Sequence, residues 1–151
     1  MAFTTPCFIR KNTPELRKKL EELGYKYSTF DDLKLDGIIT FPAKSEYSVW
    51  ANYHFDGKHT LKSYIDCGDN ERLFLALAAL SDDTPINSYY WFNDKLFKCE
   101  KIEIDNVLKN NTANYLLKCR CVNNPMIVSC FKEKNVRKAT VEEIIEYFKN
   151  K

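Results

Sequence analysis

The sequence predicts an α+β protein: a mostly antiparallel sheet of about seven short strands with three helices, one of them central and buried. Three observations carry that expectation. Short runs rich in Tyr, Phe, Val and Ile are separated by turn residues such as Asp56-Gly57 and Asn93-Asp94-Lys95. Three other segments carry helical spacing with their own start signals. No linker or low-complexity stretch interrupts the 151 residues, which fit one domain, 1–151, large enough for a core without metal or disulfide staples.

Each element follows from its local grammar. Cys7-Phe8-Ile9 reads as a short strand leading into "RKNTPELRKKLEELG". There Thr13 suits the N-cap and Pro14 the first helical position, where its missing N–H costs nothing. Leu16, Leu20 and Leu23 form the apolar stripe, and Gly24 ends the helix. "GIITF" (37–41) reads as a strand, and "EYSVWANYHF" (46–55) with "KHTLKSYID" (58–66) as a hairpin about Asp56-Gly57. In that register Trp50 faces Ser63, and Tyr47 and Tyr53 share a face with Lys62 and Tyr64. The segment from Glu71 to Leu80 is apolar nearly all round, as a central buried helix would be. "YYWF" (89–92) and "LFKCEKIEI" (96–104) make a second hairpin, and "YLLKCRCV" (115–122) and "MIVSCF" (126–131) are further strands. In "ATVEEIIEYFKN", Thr140 and Glu143 form a capping box ahead of the stripe Val141, Ile144, Ile145 and Phe148.

Composition narrows the function classes. A 44% hydrophobic, 29% charged chain has the make-up of a folded globular protein, and a net charge of +2 does not by itself argue for nucleic acid. Aromatic content of 14% beside only four Gly suggests strand-rich structure, an aromatic-lined pocket or a homo-oligomer interface. The start "MAFTTPCFIRKNTPELRKK" has no apolar signal stretch, so a cytoplasmic location with reduced thiols is expected for the six cysteines. There is no CxxC, and the cysteines with His54 and His59 lack the paired spacing of a zinc site; neither a metal nor a cofactor is expected. No apolar run approaches the roughly 18 residues that cross a membrane.

The turn Asp66-Cys67-Gly68-Asp69-Asn70 joins a strand to the central helix and invites a catalytic reading. Cys67 as nucleophile would need a histidine within hydrogen-bond reach. On a continuous strand the eight residues from His59 to Cys67 span roughly 26 Å, which excludes a local dyad so long as the hairpin holds and no second subunit supplies the histidine. Asp66 and Asp69, or Glu100 and Glu103, could serve acid–base chemistry if they converged, but acceptors beside a helix start ordinarily cap its free amides. No residue is assigned a catalytic role, and the turn reads as architecture.

Two segments share the pattern apolar-Arg-Lys-x-Thr-x-Glu, "IRKNTPE" (9–15) and "VRKATVE" (136–142), each leading into a helix whose amides and dipole favour anions. Arg10, Lys11, Arg137 and Lys138 are therefore the candidate anion contacts, weighed against a solvated basic edge. Tyr53, Lys62 and Tyr64 form a second candidate surface, because aromatics interleaved with lysine can stack bases.

Three segments, "CFIRKNTPELRKKLEELGYKY", "YIDCGDNERLFLALAALSDDT" and "VRKATVEEIIEYF", resemble small uncharacterised proteins of gut Bacteroidales phages and mobile genetic elements. The resemblance implies a bacterial host cytoplasm and an accessory role. It carries no activity or site residues with it. The expected function is a non-enzymatic binding protein, a host-defence antagonist that sequesters an anionic nucleotide signal. The alternatives are an inhibitor of a host protein and a single-stranded nucleic-acid-binding accessory protein, the latter disfavoured by the nearly neutral charge.

Overall fold

A computed structural model describes residues 3–28, 36–41, 48–54, 62–81, 86–105, 114–132 and 136–149. The fold is α+β, with three helices and two mostly antiparallel five-stranded sheets among the described residues. The strands are β1 (Cys7–Ile9), β2 (Lys26–Tyr27), β3 (Gly37–Phe41), β4 (Val49–Tyr53), β5 (Ile65–Asp66), β6 (Tyr89–Phe92), β7 (Lys95–Asp105), β8 (Asn114–Cys121), β9 (Val128–Lys132) and β10 (Arg137–Lys138). The helices are α1 (Pro14–Leu23), α2 (Glu71–Ala78) and α3 (Val141–Phe148). The chain divides into two compact units, Met1–Asp83 with Ile144–Lys151, and Thr84–Glu143.

The first unit holds the sheet β2-β4-β3-β1-β5. Strand alternation sends Cys7, Ile9, Ile38, Thr40 and Trp50 to one face, all at 2% exposure or less. Against it lies α2, with the Cys7 Sγ 3.9 Å from the Phe74 carbonyl oxygen. Both helix starts form as their sequences require. The Thr13 hydroxyl accepts from the Leu16 N–H at 3.2 Å, and the Asn70 Oδ1 accepts from the Leu73 N–H at 3.1 Å. Helix α1 ends on Gly24 in the left-handed region, φ 112°. The Tyr25 hydroxyl, buried beneath Phe3, donates to the Ala78 carbonyl at 2.7 Å and so satisfies an acceptor that the end of α2 leaves free.

One expected pairing is corrected. Strand β4 spends one edge on β2 and the other on β3, with Trp50 opposite Tyr27 and Thr40. A strand has only two edges, so 62–66 cannot complete a hairpin with it; β5 pairs instead with β1, in parallel. Trp50 therefore does not face Ser63. The Asp56-Gly57 turn, Tyr47 and His59 lie outside the described residues.

The second unit holds the sheet β10-β6-β7-β8-β9. Strands β6 and β7 join through a two-residue turn with Asn93 and Asp94 both at positive φ, 48° and 61°, the conformation that matches strand twist. Tyr90, Phe97, Cys99, Leu117, Cys119, Cys121 and Phe131 form its buried cluster. Strand β7 carries a bulge between Cys99 and Lys101. The strands not expected from sequence are the two-residue β2 and β10, too short to leave an alternating pattern, while β5 is all that forms of the expected strand 58–66 among its described residues.

Candidate functional site

The second face of the first unit's sheet is built by the residues that alternate with its helix-covered face. Phe8 stands opposite Ile39, Ile39 opposite Ala51, and Phe8 opposite Asp66. Phe8, Ile39 and Ala51 are a buried cluster, and Tyr53 and Tyr64, both half-buried, pack against it. The Tyr53 ring lies 6.2 Å from that of Phe8, and Tyr64 meets Phe41 edge-on at 6.3 Å. Burial pushes the Tyr64 hydroxyl above its ordinary pKa. Two residues beyond Phe8 on the same face is Arg10, its guanidinium 5.8 Å over the Phe8 ring, within cation–π range.

Arg10 is held from three sides. Its backbone N–H donates to the Gly68 carbonyl at 2.5 Å, and its Nη2 bonds the Asp66 Oδ2 at 3.1 Å. Asp66 Oδ1 meanwhile accepts from the Gly68 N–H at 2.8 Å, and Gly68 takes φ +59°, which a side chain would strain. The 66–70 turn thus has two functions in the architecture: Asn70 starts α2, and Asp66 with Gly68 fixes Arg10 above the aromatic face. Asn70 also donates from Nδ2 to the Phe148 carbonyl at 2.7 Å, so it serves the end of α3 as well.

The sequence-predicted contacts divide accordingly. Arg10, Tyr53 and Tyr64, remote in sequence, meet around Phe8. Lys62 is exposed, two residues before Tyr64 in the chain. Lys11 turns to Glu71 at 2.9 Å, and Lys19 reaches the other Glu71 oxygen at 3.0 Å; hydrogen bonds from Lys11 and then Lys19 hold the Glu71 carboxyl below its ordinary pKa. Arg137 and Lys138 belong to the second unit and are strand residues opposite Trp91 and Tyr90 rather than part of an open helix start. Arg137 forks onto the Glu143 carboxylate at 2.7 and 3.1 Å, which raises the Arg137 pKa and lowers that of Glu143. The capping box is thereby half made: the Thr140 hydroxyl accepts the Glu143 N–H at 3.2 Å, while the Glu143 side chain goes to Arg137. Phe8 and Phe41 were not singled out as site residues, since only the register of β1 on β3 puts them on the tyrosine face.

Cys67 is 4% exposed, and its thiol is pushed up by a hydrogen bond with Cys7, then by burial. A buried thiol held in the protonated form is a poor nucleophile. His54 pairs with Asp36 at 3.7 Å, and Glu100 and Glu103 face Arg120 and Lys101. Among the described residues no three His, Cys, Asp or Glu side chains gather as metal ligands do, and no helix is long and apolar enough to cross a membrane.

The fold and the Phe8 face define an α+β protein with an aromatic surface on one sheet, edged by the Arg10–Asp66 ion pair. No family model, curated protein or solved structure matches the chain.

Proposed function

We propose that the chain is a small non-enzymatic binding protein that sequesters an anionic, ring-bearing ligand such as a nucleotide on the Phe8 face of its first unit. One observation carries this reading: Arg10, Tyr53 and Tyr64 converge around Phe8, joining a fixed guanidinium to aromatic faces. A nucleotide needs those two contacts, a planar cation for phosphate and a π-surface for the base. The setting implied by the three phage-like segments, an accessory protein in a bacterial cytoplasm, suits capture of a signalling nucleotide and antagonism of host defence.

Calorimetry against a panel of cyclic and linear nucleotides tests the reading, and absence of binding to every member refutes it. Asp66 supplies a sharper test, because its carboxylate competes with an incoming phosphate for Arg10. Asp66→Asn keeps the acceptor for the Gly68 N–H and removes the competing charge, so affinity rises several-fold, whereas Arg10→Ala lowers it at least tenfold, as loss of a charge-assisted bond predicts. Equal affinity in wild type and both variants would place any binding elsewhere.

A second reading, an inhibitor that binds a host protein, is favoured by the β8–β9 tip. There Met126 is 89% exposed on a turn braced by the Ile127 N–H to the Asn124 carbonyl at 3.0 Å and by Arg120 on the Pro125 carbonyl at 2.5 Å. A rigid apolar knob fits a pocket on a partner. Met126→Asp abolishes binding to a captured host protein under this reading and leaves nucleotide binding intact.

A further inference from the structure

The second unit carries an electrostatic arrangement that its own fold does not call for. On the face of its sheet opposite the Phe97–Cys119 cluster, Lys98 stands directly across from Arg120, and Lys101 directly across from Lys118. Directly opposed residues on antiparallel strands have Cα atoms about 4.5–5.5 Å apart, and like charges there destabilise the sheet. Lys132 adds a further cation on the same face, opposite Leu116.

The bulge at Glu100 creates the second like-charged pair. Without the extra residue, alternation would send Lys101 to the apolar side with Cys99 and leave one cation pair on this face. The bulge re-aims it, so that the four residues from Lys98 to Lys101 match the three from Arg120 to Lys118. Glu100 bonds Arg120, and Glu103 lies 3.6 Å from Lys101, which is 67% exposed. Lys118 and Lys132 have no carboxylate partner among the described residues. A bulge that sets cation against cation, with two lysines left over, has the form of a surface awaiting an anion.

We infer that this face of the β7–β8–β9 sheet is a binding surface for the backbone of a single-stranded nucleic acid, with Lys98, Lys101, Lys118 and Lys132 contacting phosphates. The two cation rows lie two residues apart along β8, about 6.8 Å, a regular spacing that suits a repeating polyanion laid across the strands. Val128, 40% exposed in the row of Lys98 and Arg120, offers apolar area to a base. The inference is separate from the Phe8 site, which lies in the first unit.

The test is fluorescence anisotropy of a labelled 20-residue oligothymidylate titrated with the full chain at several salt concentrations. Binding is expected at low salt, with a log–log salt slope of about −3, as four neutralised phosphates on a single strand require. Lys118→Glu should weaken binding about tenfold or more and, by relieving the repulsion from Lys101, melt at or above the wild-type temperature. Lys132→Glu, on the exposed edge strand, is the second variant should the first fail to fold; it too loses about tenfold. Arg10→Ala leaves this binding unchanged. No binding at low salt, undiminished binding by the variants, tighter binding of a 20-base-pair duplex, or equal binding of poly-L-glutamate would each overturn the assignment, the last in favour of an acidic protein partner.

Discussion

Asn70 makes two bonds that ordinarily belong to different residues, and its removal should be felt at two helix ends. Its Oδ1 caps the start of α2 through the Leu73 N–H, and its Nδ2 meets the Phe148 carbonyl at the close of α3. Loss of an Asn cap costs about 1 kcal/mol, and a part-buried carbonyl left without its donor about another 1 kcal/mol. Asn70→Ala is therefore expected to lose about 2 kcal/mol, which for a chain of this size lowers the melting temperature by roughly 4–8 °C. Asn70→Asp keeps the cap acceptor and removes only the donor, so about half of that loss is expected from it. Differential scanning calorimetry of the three proteins measures both steps. If Asn70→Ala melts within a degree of wild type, neither bond contributes. If Asn70→Asp is as stable as wild type, the bond to Phe148 contributes nothing and α3 is held by Ile144 and Phe148 burial alone.

Other expectations concern the same region. Lys11 and Lys19 depress the Glu71 pKa below its ordinary 4.5, so the stability they confer is present above that value and is lost as pH falls through the lowered folded pKa. Denaturation across pH 2–6 should show a shallower acid loss in Glu71→Gln than in wild type. Gly68→Ala meets no neighbouring atom within 4 Å, so its cost is the backbone strain of φ +59° alone, about 1 kcal/mol by urea unfolding. Cys67→Ser should cost about 1 kcal/mol for a hydroxyl beside Cys7 and leave ligand binding unchanged; loss of binding in a folded Cys67→Ser protein would return the turn to a catalytic reading.

Local grammar was legible, and partnership between strands was not. Thr13, Pro14 and Gly24 bound α1 as their types require, and Thr140 caps α3. The paired Arg-Lys-x-Thr segments prove to share only this, a threonine cap after a strand, consistent with a common way of starting a helix rather than a duplicated fold. Asp56-Gly57 suggested that its flanking runs pair, because a turn signal reports on adjacent residues. Which edges β4 has already spent on β2 and β3 is fixed by long-range packing, and no two-residue signal encodes it. The hairpin register had Tyr53 and Tyr64 on one face; they do share a face, but through β3 and β1, which lie between them, and not through that register. For the same reason the sequence pointed to Arg10 for its helix start, while the structure gives it a different setting over Phe8. The bulge at Glu100 was invisible for a related reason: one inserted residue reverses alternation without altering composition.

The ion pairs decide how the basic residues can be used. Arg137 is spent in a two-pronged bond to Glu143, and Lys11 shares Glu71 with Lys19, so a phosphate arriving at either would have to displace a carboxylate already in place. Arg10 also meets a carboxylate, Asp66 at 3.1 Å, but it has an aromatic ring beneath it, and its side chain is 47% exposed. An exposed pair of that kind contributes at most about 1 kcal/mol, which a doubly charged phosphate can outcompete. Under the proposed function, Asp66 is then a holder that keeps the guanidinium over Phe8 until a stronger anion takes it. On that account the strand–turn–helix junction at 66–70 is part of the binding face without touching a ligand: Gly68 admits the sharp turn, Asp66 aims the cation, and Asn70 keeps the helix behind it in place.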